Sequence, residues 1–419
     1  MIYNTIKSTY LFLFILSIFC DVSCKQPTVK TSEEKEVETS NQEVKSEKAL
    51  RTAADRTAEY IPLLKGKKVA IVANQTSVIQ KKSKYNPDIS SFHLVDYIHN
   101  SKDIDVVKVF APEHGFRGKA DAGEVIKDGI DTKTGLPIIS LYGKNKKPSD
   151  EQLKDIDAIV FDIQDVGVRF YTYISTLHYV MEACAENNIP VILLDRPNPN
   201  AHYIDGPVLE LENQSFVGMH PVPVVYGMTI GEYGKMINGE KWLKNGIQCD
   251  LTVITNENYT HNTTYELPIK PSPNLPNATS INLYPSLCFF EGTNVSAGRG
   301  TNSQFQIYGS PFLKGLDYSF TPQPNEGAKY PKHKNKLCFG EDLRKTNYLS
   351  KMDLSWLLKA YANTTDKSKF FNNFFVKLAG TQKLQQQIEE GATVSKIEQS
   401  WKEDLENFKK TRSKYLLYK

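Results

Sequence analysis

The sequence has none of the glycine-rich signatures that cradle phosphates. Its first apolar segment in the body of the chain, residues 67–73, ends in Asn74-Gln75-Thr76-Ser77, where a dinucleotide fold needs G-x-G-x-x-G. A Walker A sequence is also missing, and Gly298-Arg299-Gly300 lies far from that strand. No nucleotide cofactor is expected. The G-x-S-x-G elbow of serine hydrolases is absent, and Ser175 falls inside a helical segment, where it packs or caps. None of the 6 cysteines sits in a C-x-x-C pair, and neither H-x-H nor H-E-x-x-H occurs among the 8 histidines. A zinc centre or dithiol redox chemistry is therefore not expected. An excess of charge is lacking too. The chain carries 51 basic and 48 acidic residues, which makes no electrostatic case for nucleic acid.

What is present begins with an address. Lys7 precedes an apolar run at 10–20, too short to span a bilayer comfortably, and residues 1–24 read as an export signal. Ser23-Cys24 is similar to the end of a bacterial lipobox, which makes Cys24 the candidate lipidation residue. Asp21 stands where that pattern usually has an apolar residue, so plain secretion and a retained anchor stay open. Residues 25–54 are rich in Lys, Glu, Ser and Thr. They bury too little apolar area to offset their ordering entropy and are expected to form a disordered tether. The expected location is the periplasm or cell envelope, and any membrane contact runs through the N-terminal lipid. The remaining cysteines, Cys184, Cys249, Cys288 and Cys338, are expected to be buried free thiols.

Residues 55–227 alternate apolar strands (67–73, 106–111, 136–141, 158–161 and 190–194) with helical segments. Near-continuous apolar strands separated by helices predict an α/β fold, a Rossmann-like parallel sheet covered on both faces. Pro221 and Pro223 then break the pattern, and residues 228–419 read as a second, smaller α+β domain that completes a cleft. In a parallel sheet the strand tips share one edge, where ligands bind. Each tip here is loaded: Asn74, Glu113-His114, Tyr142-Gly143, Asp162 to Arg169, and Asp195-Arg196.

Those residue types suit acid–base chemistry on a polar substrate. Glycoside cleavage needs two carboxyl groups, or one carboxyl and a partner that replaces the second. Glu113 is the candidate acid, and Asp165, Asp162 and Glu291 are candidates for the second group. Arg117, Arg169 and Arg299 could hold a substrate carboxylate in a bidentate way. Tyr171 and Tyr173 could stack on a sugar ring, and Asn74, His114, Glu124 and Asp162 complete the expected binding set. The same carboxylates with His114 could instead assemble an oxygen-rich metal site, which keeps a metal-dependent hydrolase as an alternative. Any one of these residues, taken singly, suits a structural ion pair or a core aromatic equally well.

Long motifs in order along the chain narrow this. They are VANQTS (72–77), PEHGFRG (112–118), DAGE (121–124), TGLPIISLYG (134–143), FDIQDVGVRFYTYISTL (161–177), DRPNP (195–199), YGMTIGEY (226–233), PSPNLP (271–276) and FEGTNVSAGRGT (290–301). From about residue 60 onward the chain resembles the bacterial exo-β-N-acetylmuramidases of peptidoglycan turnover, the NamZ-like glycoside hydrolases. The resemblance implies a Rossmann-like domain and a smaller domain with the active site between them. It implies release of N-acetylmuramic acid from the non-reducing end of peptidoglycan glycans or muropeptides, without metal or cofactor. It puts the catalytic glutamate at Glu113. A muropeptide-binding lipoprotein without catalysis is the competing reading on the same fold.

Overall fold

The computed structural model describes residues 49–82, 89–117 and 128–419; Cys24 and Glu124 lie outside the described residues. In chain order its first strand, β1 (Lys68–Ala73), is followed by a hairpin of β2 (Val78–Lys82) and β3 (Ile89–His93). Then come β4 (Asp105–Ala111), β5 (Gly129–Ile130), β6 (Pro137–Ser140), β7 (Ala158–Asp162), β8 (Val191–Leu194) and β9 (Leu251–Ile254). These, without the hairpin, build a seven-stranded sheet in the order β5-β6-β4-β1-β7-β8-β9. All neighbours pair parallel except the edge strand β5, which runs antiparallel to β6. The parallel strands follow Rossmann order, which reverses between β1 and β7, and the carboxyl edge at such a switch point is where ligands sit.

Burial on both faces explains the apolar strands. Every residue of β7 is buried. Along β1, Ala70 and Val72 join a core shared with Ile159 and Phe161, whereas Val69 and Ile71 join a second core with Val160 and Leu194. That alternation is the period of two of a pleated strand. Helices α1 (Thr57–Leu64) and α2 (Leu94–His99) cover the second face, with Tyr60, Leu64, Leu94 and Val95 in its core. Next come α3 (Asp150–Leu153), α4 (Tyr173–Glu186) and α5 (Ile230–Gly239). The apolar residues of α4 and α5, among them Ile174, Leu177, Ile230 and Ile237, cover the first face. Thr229 caps α5 through the N–H of Glu232, whose carboxylate in turn accepts from the Thr229 N–H, as the spacing of the two residues predicts.

The remaining chain begins with α6 (Ala278–Leu287) and carries a three-stranded antiparallel sheet of β10 (Ile307–Ser310), β11 (Tyr318–Phe320) and β12 (Cys338–Asp342), in the order β10-β12-β11. Helices α7 (Ser355–Asn363) and α8 (Phe374–Ala379) follow, then three more over Lys383–Glu389, Val394–Ser400 and Lys402–Arg412. A boundary at 227/228 does not match this arrangement. Residues 251–254 pair with β8 inside the large sheet, and α5 packs beside α4 on it. Pro221 and Pro223 interrupt only a crossing segment; the sheet gains its last strand after them. One core runs from Phe161 through Tyr226 and Phe290 to Phe408, and the C-terminal Tyr418 hydroxyl donates to Asp195 at 2.6 Å at the tip of β8. Cys184, Cys249, Cys288 and Cys338 are buried free thiols.

Candidate active site

The carboxyl end of β4 turns sharply after Pro112. His114 and Gly115 both take left-handed backbone, at φ 72° and 77°, and the Gly115 N–H closes the turn on the Pro112 carbonyl at 3.0 Å. A buried histidine in this conformation costs on the order of 1 kcal/mol, a cost that persists where the surroundings fix the turn. The turn presents Glu113 to a cavity. Thr172, at the N-terminus of α4, donates its hydroxyl to Glu113 Oε2 at 2.9 Å. The Tyr142 hydroxyl, just past β6, also bonds the Glu113 carboxylate, and burial together with that negative charge pushes its phenol pKa up. Tyr173 accepts from Asn74 Nδ2 at 2.9 Å and reaches the Glu113 carbonyl at 3.4 Å. Tyr171 donates to the Pro271 carbonyl at 2.7 Å, and the two tyrosine rings meet edge to face at 4.9 Å. Three strand tips, of β4, β6 and β7, thus converge on one carboxylate.

The cavity has a volume of about 270 Å³. Its other walls come from later in the chain: Ser272, Asn274 and Leu275, then Tyr284 and Cys288, then Glu291, Arg299 and Phe305, with Phe374 and Leu378 of α8. Glu291 pairs with Arg299 at 3.0 Å. Burial pushes the Tyr284 phenol far above its ordinary pKa, and the negative charges of Glu291 and Glu113 add to the shift, so both carboxylates act on one ring.

Of the residues singled out from sequence, Glu113, Glu291, His114, Tyr171, Tyr173 and Arg299 line this cavity. Asn74 is buried behind it and orients Tyr173. The other residues are placed elsewhere. Asp165 is buried beneath the wall, where it accepts from the Gly167 N–H at 2.8 Å and from the Tyr226 hydroxyl. Burial pushes its carboxyl pKa up to about 6. It shapes a turn in which Gly167 has φ 76° and no room for a side chain, since a Cβ would stand 2.2 Å from Asn198 Nδ2. Asp162 is fully buried in a bidentate pair with Arg196, at 2.6 and 2.8 Å. Arg117 pairs with Asp96 at 3.0 Å and Asp131 at 2.7 Å, outside the cavity. Arg169, fully buried, gives its guanidinium to the carbonyls of Pro207, Val222, Leu378 and Ala379. Asp162, Asp165, Arg117 and Arg169 therefore bond groups inside the protein instead of lining the cavity, with Asp165 Oδ1 and Arg169 Nε buried and without a hydrogen-bond partner among the described residues. Thr172, Ser272, Asn274 and Tyr284 also line the cavity and are not among the site residues expected from sequence, and Tyr142 is expected only as a strand-tip residue. The polar loop at 271–276 was visible as a motif, but nothing local shows that it folds back over β7. Among the described residues, no group of three or more His, Cys, Asp and Glu side chains is placed to hold a metal ion.

A cavity lined by Glu113, Glu291 and several aromatic rings, at the carboxyl edge of a Rossmann-ordered sheet, suits a sugar ring and the acid–base chemistry of the glycoside hydrolases. The N-terminal model of the exo-β-N-acetylmuramidase NamZ matches residues 69–279, and the C-terminal model of the same family matches residues 282–418. The chain belongs to this NamZ family. It is 39% identical over 405 residues to the peptidoglycan β-N-acetylmuramidase NamZ of Bacillus subtilis strain 168, covering 90% of this chain and 93% of that one. Two crystal structures of DUF1343 family proteins from Bacteroides fragilis NCTC 9343 are similar to it. One is 45% identical with a TM-score of 0.80, covering 89% of this chain and 99% of that chain. The other is 29% identical with a TM-score of 0.73, covering 88% and 99%.

Proposed function

We propose that this protein is an exo-acting glycoside hydrolase that releases N-acetylmuramic acid from the non-reducing end of peptidoglycan fragments. Membership of the NamZ family supports the reaction and the substrate. The observation that carries the assignment to this cavity is the Glu113 carboxylate, held by Thr172 and Tyr142 in a cavity whose other acidic lining group is Glu291. Glu113 is the proton-transferring group. Glu291, fixed by Arg299, is the second carboxylate, in place of Asp165. Tyr171 and Tyr173 face the ring, and Arg299 is the one arginine of the three candidates that lines the cavity and so is placed for the lactyl carboxylate. Export and lipidation at Cys24 complete the proposal, and a Cys24→Ala protein should leave the membrane fraction for the soluble one.

The test is hydrolysis of the disaccharide of N-acetylmuramic acid β-linked to N-acetylglucosamine, whose leaving group needs protonation, by wild type and Glu113→Gln. Turnover by wild type and its loss in the variant are expected. A folded wild type without turnover overturns the hydrolase reading and favours a muropeptide-binding protein. Full activity in Glu113→Gln overturns the role of Glu113.

A further inference from the structure

A second cavity, of about 410 Å³, adjoins the first. The two share Glu291, Arg299 and Phe374, so the ion pair marks the seam between them. Tyr330 lines the outer cavity and is 89% exposed, more than any other large apolar side chain among the described residues. The ring thus stands in water at the mouth of the outer cavity, open to a ligand.

The backbone under that ring is firmly held. Lys332, two residues on, donates to the carbonyls of Phe290 at 2.9 Å, Thr293 at 2.5 Å and Val295 at 3.0 Å, which flank Glu291. Pro331 packs on Gly300, next to Arg299. Gly300 has φ 82°, and a Cβ there would stand 2.6 Å from Pro331. The segment bearing Tyr330 is thus stapled to both turns that carry the seam pair. Stapling holds the backbone that bears the ring in place relative to Glu291 without the ordering cost of a loose loop.

We infer that the outer cavity is the subsite for the sugar on the leaving side of the scissile bond, with Tyr330 as its stacking platform. This rests on the proposed function. In a glycan that alternates N-acetylmuramic acid with N-acetylglucosamine, the unit beyond a released N-acetylmuramic acid is N-acetylglucosamine. The terminal sugar occupies the inner cavity and the bond to be cut crosses the seam at Glu291. The next ring lies with its C–H face on Tyr330 and its hydroxyls in water. Tyrosine suits this because one rigid, amphipathic ring supplies apolar area at little entropy cost.

The experiment compares two substrates of the full-length protein: the disaccharide with N-acetylmuramic acid β-linked to N-acetylglucosamine, and methyl β-N-acetylmuramide, whose leaving group is too small to reach Tyr330. In Tyr330→Ala the ratio of kcat/KM for the disaccharide to that for the methyl glycoside should fall about tenfold, the size of an aromatic contact. Tyr330→Trp should restore the ratio. An unchanged ratio in Tyr330→Ala overturns the inference. If wild type cleaves neither substrate, the hydrolase reading fails on its own. The subsite is then read by saturation-transfer NMR with N-acetylglucosamine: signal with wild type, lost in Tyr330→Ala, supports it, and signal that persists in the variant, or none with wild type, overturns it.

Discussion

Arg169 separates a structural from a substrate-binding reading most sharply. It lies in the motif that looked most like an active centre, yet its guanidinium is fully buried and points away from sugar chemistry. Its Nη1 donates to Pro207 and Val222 at 2.8 and 2.7 Å, and its Nη2 to Leu378 and Ala379 at 2.9 and 2.7 Å. It thereby ties the β7 loop to the end of α8, far along the chain. Burial pulls its pKa down to about 9, which leaves it charged at neutral pH. Replacing it with methionine keeps much of the volume and removes every donor. Hydrogen bonds to a charged group are worth roughly 1.5–3 kcal/mol each. The native state also sheds the desolvation cost of a buried cation, so the net loss is about 3–5 kcal/mol. At roughly 2 °C per kcal/mol for a large chain, the melting temperature should fall by about 6–10 °C. The assay is a thermal melt by circular dichroism, paired with KM on protein well below the transition. Arg169→Met should melt early with KM near that of wild type. An unchanged melting temperature with a raised KM would refute the structural role and return Arg169 to the substrate.

Asp165 gives a pH signature. Its carboxyl pKa is raised to about 6, mainly by burial, so its share of stability is full below about pH 4 and is lost as pH rises through 6. That share is about 3 kcal/mol, and Asp165→Asn should flatten the dependence of melting temperature on pH between 4 and 6; parallel curves for the two proteins would count against it. Tyr142→Phe should lower kcat about tenfold with KM little changed, the loss of one hydrogen bond to a charged group. An unaltered kcat would mean that the Tyr142 hydroxyl does not position Glu113.

The order of strands and their shared edge were legible because buried parallel strands must be apolar throughout and helices must cover them. The choice among the polar groups at that edge was not. Asp162, Asp195 and Arg196 decorate strand tips as conspicuously as Glu113 does, but Asp162 and Arg196 satisfy each other, and Asp195 binds the Thr229 hydroxyl at 2.7 Å and the Gly231 N–H at 2.8 Å to hold the start of α5. A sequence shows the presence of a charge and hides its partner, and the partner decides between structure and chemistry. The same limit hid Tyr284 and Asn274, which reach the cavity only because residues 271–288 fold back over the end of β7. It also misplaced the boundary at 228, since a strand as short as 251–254 declares its sheet only by pairing.

Partner chemistry also distinguishes the two carboxylates that remain. Glu113 faces hydroxyls, and a hydroxyl donates or accepts as needed. The Thr172 and Tyr142 contacts therefore survive when Glu113 gains or loses a proton. Glu291 faces the Arg299 guanidinium, which only donates and carries a fixed positive charge. This difference in partners underlies the different roles proposed for the two carboxylates. The two substitutions should then differ in kind. Glu113→Gln should remove a limb of the pH–rate profile along with most of the activity, because the titrating group is gone. Glu291→Gln should lower kcat across the whole profile and leave both limbs where they were. Substrates with activated aryl leaving groups need less protonation, so they should recover part of the rate in Glu113→Gln if Glu113 is the acid, and none in Glu291→Gln. The assignment of roles fails if the Glu291 variant loses a limb, or if aryl leaving groups rescue it instead.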